Sequence, residues 1–167
     1  MSDTPAQDPQ NAAEAMPSMR VLMQYLKDLS FENPGAPQTL GAAQAQPSME
    51  VGVDVNARGL GQNRYEVELS CSATAKRDDN VVYVAEVNYA GLFEIHNVPQ
   101  DRLEMVLLID APYLLFPFVR QIVAQSTRDG GFVPLLLEPL DFAGMYQQQR
   151  AARGDQGVPS AAPSELT

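Results

Sequence analysis

From Arg64 to Lys76 apolar and polar residues alternate without a break, and this run constrains the fold more than any other feature of the chain. Tyr65, Val67, Leu69, Cys71, Ala73 and Ala75 take the odd positions, while Arg64, Glu66, Glu68, Ser70, Ser72, Thr74 and Lys76 take the even ones. Successive side chains of a strand point to opposite faces, so this is a strand with one buried and one wet face. Met49, Val51, Val53 and Val55 repeat the pattern around Glu50, Gly52 and Asp54. Gly59-Leu60-Gly61-Gln62-Asn63 is expected to supply the turn between the two runs. A third strand is expected from Val81 to about Ile95, entered through a hairpin turn at Asp78-Asp79-Asn80. Its odd side carries Tyr83, Val87, Tyr89, Phe93 and Ile95, and Gly91 reads as a bulge or bend.

The wet positions of these strands collect acid. Glu50, Asp54, Glu66, Glu68, Glu86 and Glu94 all fall on them, against Arg64 and Lys76 as the bases there. Val84 and Leu92 leave apolar spots among the charges. Charge that steers beside a patch that can be buried is what a docking surface needs, although an ordinary solvated sheet face has the same composition.

Residues 18–32 fit two patterns. Met19, Leu22, Met23 and Leu26 make a helical stripe, whereas Met19, Val21, Met23, Tyr25, Leu29 and Phe31 make a period-two face. Glu32-Asn33-Pro34-Gly35 ends the segment either way.

The second half reads as helical. Asp101 can cap a first helix, and Ala111-Pro112 is expected to start a longer one with Leu115, Phe118, Val119 and Ile122 on its apolar stripe. Pro117 constrains its first turns, and Asp129-Gly130-Gly131 ends it. Residues 132–140 are apolar but bracketed by Pro134 and Pro139, which excludes a regular helix or a central strand. Such a loop needs a partner, a groove or its own sheet to cover it. Asp141 can cap a final helix through about Gln149.

A chain of 167 residues, 45% of them hydrophobic, suits one domain with tails. Residues 1–17 and 151–167 are poor in material to bury and read as disordered tails around a domain at 18–150. The formal net charge of −10 repels phosphate backbones and anionic headgroups, so neither nucleic acid nor a membrane surface is an expected partner. A basic protein patch is the natural complement, and the same acidity also serves solubility alone. Cys71 is the one cysteine, which excludes an intrachain disulfide and fits a reducing cytosol. The first residues lack the basic and apolar regions of a secretory signal, and no stretch approaches ~18 uninterrupted apolar residues, so no membrane span is expected.

Catalytic constellations are missing. His96 is the one histidine, and the sequence contains no zinc-ligand spacing, no phosphate-binding glycine loop and no nucleophile elbow. Asp78-Asp79 reads as a solvated turn, and Cys71 as a small inert hydrophobe on the inward face.

Five stretches resemble a known family in order. Tyr25-Leu26-Lys27-Asp28-Leu29-Ser30-Phe31-Glu32-Asn33-Pro34 is similar to the opening motif of SecB, the bacterial protein-export chaperone. Val84-Ala85-Glu86-Val87 with Gly91-Leu92-Phe93 resembles its last strand, and Ala111-Pro112-Tyr113-Leu114-Leu115-Phe116-Pro117-Phe118-Val119-Arg120 the start of its main helix. Thr127-Arg128-Asp129-Gly130-Gly131-Phe132 and Leu137-Glu138-Pro139-Leu140-Asp141-Phe142, followed by Met145-Tyr146, continue the likeness, which covers roughly residues 19–150. The resemblance implies an α+β fold: a four-stranded antiparallel sheet with two helices packed at one face, residues 19–32 being the first strand. It implies a homotetramer built as a dimer of dimers, with the long helices between dimers. It also implies a cytoplasmic chaperone, not an enzyme and without nucleotide, metal or other cofactor. Such a chaperone holds unfolded precursor proteins in a translocation-competent state and passes them to the SecA motor, without entering the membrane itself.

The resemblance also assigns residues. The SecA-docking positions fall on Asp28, Glu32, Val84 and Glu86, with Val84 where some members carry a larger leucine. The client-binding groove falls on Met49, Val51, Phe132, Leu135, Leu137, Phe142 and Tyr146. Where the family often has a Trp before the second strand, this chain reads Ala43-Gln44-Ala45-Gln46-Pro47. Two other readings fit a sheet with helices: a hot-dog-like small-molecule enzyme, for which Leu114 to Ile122 offers only Arg120 and Gln121, and an acidic adaptor that holds no clients.

Overall fold

A computed structural model describes residues 15–41 and 45–155. Four long strands, β1 (Ser18–Glu32), β2 (Ser48–Gly61), β3 (Arg64–Arg77) and β4 (Asn80–His96), form one antiparallel sheet in the order β1-β4-β3-β2. The alternation in β3 is realised from Val67 onward: Val67, Leu69, Cys71, Ala73 and Ala75 are buried. β2 continues past the expected glycine turn to Gly61, and the turn itself is Gln62-Asn63. Both residues have positive φ, 54° and 58°, as do Asp78 and Asp79 of the next hairpin, at 50° and 64°. Two central residues in the left-handed region give the turn whose twist matches antiparallel strands.

β1 is a strand, as the resemblance implied, but neither sequence pattern describes its faces. Its register against β4 slips between Val21 and Met23 and between Leu26 and Asp28, leaving Leu22 and Lys27 as extra residues. The residues opposite the buried side of β4 are therefore Met19, Val21, Gln24, Leu26, Leu29 and Phe31. Met23 and Tyr25, expected on that side, face the other way, because each bulge shifts the alternation by one residue.

Gly91 is not the bulge. It pairs regularly with Val67 and Gln24, and a Cβ there would come within 2.6 Å of the Phe93 ring and 3.0 Å of Leu115. The missing side chain lets the long helix approach the sheet.

That helix is continuous from Gln100 to Asp129: α1 (Gln100–Met105), a π-helical turn (Val106–Asp110) and α2 (Ala111–Asp129). Ala111-Pro112 thus lies inside a helix rather than opening one. Pro112 has no N–H for the Leu108 carbonyl, and its ring crowds that carbonyl; the turn before it widens so that the Ala111 N–H reaches Val106 O, five residues back. Pro99, not Asp101, holds the N-cap position.

The buried face of α2 is Ala111, Leu115, Val119 and Val123, spaced by one turn, with Phe116 beside it. Phe118, expected on the core stripe, is 42% exposed and stacks on Tyr89 with centroids 5.7 Å apart. By length and composition this 30-residue helix is long and apolar enough to cross a membrane, although it holds no uninterrupted apolar run of ~18 residues. Asp110 and Arg120 interrupt its apolar residues without lowering its overall hydropathy enough to disqualify it.

Gly130 and Gly131 end the helix. A Cβ on Gly130 would meet the Phe31 ring at 2.3 Å, and Gly131 has φ 89°. Residues 132–140 then run without regular structure to Asp141, whose Oδ1 accepts the Gly144 N–H at 2.9 Å and caps α3 (Phe142–Asp155). α3 is longer than expected, so residues 151–155 are helical. The expectations for 1–14 and 156–167, and for the stretch at 42–44, lie outside the described residues. Val67, Leu69, Phe93, Leu115, Val119, Val123 and Phe142 form the centre of the core between sheet and helices.

Candidate functional site: an acidic sheet face and an apolar groove

The face of the sheet turned away from the helices can be laid out in cross-strand rows, because directly paired residues share a face. One row reads Glu32, Val84, Thr74, Glu50; the next Ser30, Glu86, Ser72, Gly52; the third Asp28, Asn88, Ser70, Asp54. The structure therefore brings Asp28, Glu32, Val84 and Glu86 together on adjoining strands. Small residues in the middle leave a shallow depression of about 460 Å³ lined by Asp28, Gly52, Asp54, Ser70, Ser72, Glu86 and Asn88. Among the described residues Asp28, Glu32, Asp54 and Glu86 make no ion pair, while Glu50 is paired with Lys76 at 2.9 Å.

The other half of this face differs from the expectation of uniform acidity. Glu94 is paired with Arg20 at 2.8 Å, and Glu66 with Arg58 at 2.9 Å and Lys27 at 3.4 Å; Lys27 also holds Glu68. Those bases come from β1 and from the part of β2 between the alternating run and the expected turn, so the alternating runs alone did not reveal them. Glu66, expected to be wet, is only 7% exposed. The Tyr25 hydroxyl donates to it, and with Arg58 and Lys27 holds its carboxyl down at about 2. The Tyr25 hydroxyl is itself pushed up, first by desolvation and then by the carboxylate it touches. Unpaired acid is thus confined to one end of the face.

On the opposite side, at the same end of the sheet, the loop after α2 lies against β2. One cavity of about 370 Å³ is lined by Leu40, Met49, Arg77, Tyr83, Phe132, Val133 and Leu135, among others. A second, of about 270 Å³, is lined by Val51, Val53 and residues 135–140. Leu135 lines both, so the two form one apolar track along β2. Phe31, Tyr83 and Phe132 cluster beside it, with Tyr83 and Phe132 centroids 4.7 Å apart and Phe31 and Tyr83 5.5 Å apart. The Tyr83 hydroxyl, shifted up by burial, donates to Met49 Sδ at 3.6 Å.

Four of the seven expected groove residues, Met49, Val51, Phe132 and Leu135, line this track with surface to offer. Leu137 lines it but is 5% exposed. Phe142 and Tyr146 do not line it: Phe142 sits in the core against Phe116 and Tyr113, and the Tyr146 hydroxyl donates to Glu104 at 3.2 Å. α3 folds back against the long helix, which turns those two rings toward Tyr113, Phe116 and Glu104. Sequence reasoning missed Leu40, Tyr83, Val133 and Leu136. Tyr83 was legible only as an inward strand residue. Val133 and Leu136, 86% and 63% exposed, were visible as part of the apolar loop.

Comparison with known proteins agrees with this architecture. A profile of the family described as preprotein translocase subunit SecB matches residues 12–153. The chain is 51% identical over 153 residues to the protein-export protein SecB of Maricaulis maris, covering 92% of this chain and 89% of that protein. It is 48% identical over 148 residues to the protein of that name from Rhodopseudomonas palustris strain BisB5, covering 89% and 94%. Among solved structures, a SecB-like chaperone of Mycobacterium tuberculosis, in complex with a peptide from an antitoxin, has the same fold. It superposes with a TM-score of 0.59 at 18% identity, over 74% of this chain and 88% of that one.

Proposed function

The chain belongs to the SecB family of protein-export chaperones, and from that premise we propose that the track along β2 is where it holds unfolded precursors and the unpaired acidic rows are where the SecA motor docks. The observation that carries the first part is the apolar groove itself. Val133 and Leu136 stand exposed beside two adjoining cavities, and burying them on a client's apolar segments is favourable at roughly 25 cal/mol per Å². What supports the second is that, on this face and among the described residues, the carboxylates without an ion pair are Asp28, Asp54, Glu32 and Glu86, grouped around Val84, a charge pattern that suits a basic segment.

The mechanism is binding without turnover: no catalytic step, nucleotide or metal takes part. The client lies extended, several apolar residues are buried at once, and separate grooves on one assembly add avidity. The assembly is a homotetramer, a dimer of dimers. Supporting this, α2 covers β3 and β4 but leaves Leu26 and Leu29 of β1 45% and 43% exposed next to the exposed side of α2, where Leu114 and Phe118 are 43% and 42% exposed. Copies of the chain would cover that surface. The working place is the cytoplasm, with the long helix held on the sheet rather than in a membrane.

The test is retention of an unfolded precursor. The purified protein should slow refolding of a diluted precursor without any nucleotide and form a complex visible by native mass measurement. Normal refolding in its presence, with no complex, would refute the proposal.

A further inference from the structure

The loop that walls the groove has almost nothing holding its backbone. Phe132 N–H bonds to Thr127 O at 3.0 Å as the helix ends. Beyond it, among the described residues, the backbone groups of 133–140 make a single hydrogen bond: Leu135 N–H donates to the Thr127 side-chain oxygen at 2.9 Å. Leu135 is the residue that both cavities share, so the bond acts on the middle of the track.

Thr127 is fitted to that task. It is wholly buried near the end of α2. Its hydroxyl donates back to the helix, with Val123 O at 3.0 Å and Ala124 O at 3.1 Å, so the oxygen's lone pairs face the loop. A hydroxyl both donates and accepts, whereas valine of the same shape does neither. The glycines just after it open the chain into the loop, Gly131 in the left-handed region at φ 89°. The loop is thus fixed at its root by the bonds that close the helix and tied at its centre by one side chain.

We propose that Thr127 is the positioning residue of the client groove: its hydroxyl holds Leu135, and with it the extended loop, at the separation from β2 that an unfolded segment needs. The proposal rests on the groove being the client site. A residue that touches no client would in this way set how firmly clients are kept, because a loosened wall must be ordered again on each binding event.

The experiment compares wild type with Thr127→Val, which removes the hydroxyl and keeps the shape, and Thr127→Ser, which keeps the hydroxyl. Amide hydrogen exchange at Leu135 and dissociation of a permanently unfolded, reduced and alkylated polypeptide are measured in each. In Thr127→Val, exchange at Leu135 should quicken by about tenfold or more while exchange in β3 and β4 stays unchanged, and the polypeptide should dissociate several-fold faster. Thr127→Ser should restore both. Faster exchange with unchanged dissociation overturns the proposal, as does a Thr127→Ser variant as impaired as Thr127→Val. If Thr127→Val does not fold, Thr127→Ala is tried, and unfolding of both makes Thr127 a fold residue and overturns it. Failure of wild type to retain the polypeptide refutes the underlying groove reading instead, a result distinct from all of these.

Discussion

Glu66 and Glu86 stand on the same sheet face, two strand positions of the kind a sequence reading treats alike, yet their surroundings give them opposite work. Glu66 accepts from Tyr25, Arg58 and Lys27, and its carboxyl is held down at about 2. A group whose folded pKa lies below its unfolded value, near 4.5, adds stability that is complete above that value and is lost as pH falls toward 2. Glu66→Gln should therefore lower stability at pH 7 and flatten its decline between about pH 4.5 and 2, by on the order of 1 kcal/mol once solvent screening of Lys27 and Arg58 is allowed for. Urea melts of both proteins across that range check it. Glu86, on an exposed position without an ion pair among the described residues, holds nothing in place. Glu86→Lys should fold as wild type, weaken SecA binding by tenfold or more, and leave client retention unchanged. Titrating SecA and an unfolded client separately, at low and moderate salt, distinguishes this from a folding defect, which would reduce both.

At the scale of elements, β1 and the 132–140 loop decide the site. The two bulges in β1 cancel, so Asp28 and Glu32 face outward and Leu29 and Phe31 the core side as unbroken alternation from Met19 would have them, and only the stretch from Met23 to Leu26 is turned over. The loop divides into residues that serve the fold and residues that serve contact. Phe132 is wedged among Phe31 and Tyr83, whereas Val133 and Leu136 touch mostly solvent. Replacing Phe132 and Leu135 with Ser should weaken client binding by about 2–4 kcal/mol in total and also lower stability. Replacing Val133 and Leu136 with Ser should weaken client binding by about 1–3 kcal/mol with stability within ~0.5 kcal/mol of wild type. Thermal melts paired with client affinities check both; an exposed pair that binds clients as well as wild type would move the groove away from the outer loop.

For the whole molecule, the surface left open by α2 and the acid on the far side of the sheet pull in different directions. Covering Leu26, Leu29, Leu114 and Phe118 favours assembly, whereas each copy brings a formal charge of −10. Self-repulsion is screened by salt, so the proposed tetramer should persist at micromolar concentration in moderate salt and loosen at low ionic strength. Sedimentation at two salt concentrations measures this, and monomer alone in moderate salt would overturn the assembly.

Period-two alternation was enough to find β3 and β4 and most of their inward residues, although a register slip that buries Val82 beside Tyr83, and the burial of Glu66, were not legible in it. Sequence by itself also determined the end of the long helix at Gly130-Gly131 and the cap at Asp141, where local chemistry suffices. The motifs and the alternation put Asp28, Glu32 and Glu86, the proposed docking carboxylates, on the outer sheet face, and the pairing of β1 with β4 makes them neighbours. Tertiary structure alone decided the rest. Two bulges spread the inward residues of β1 at uneven intervals, and only pairing with β4 shows where the alternation slips. The bases that neutralise half of the sheet face come from residues far away in sequence, and Phe142 and Tyr146 turn inward because α3 folds back against the long helix. Pattern along a chain carries the period of one element; what faces what across two elements is fixed only when they pack.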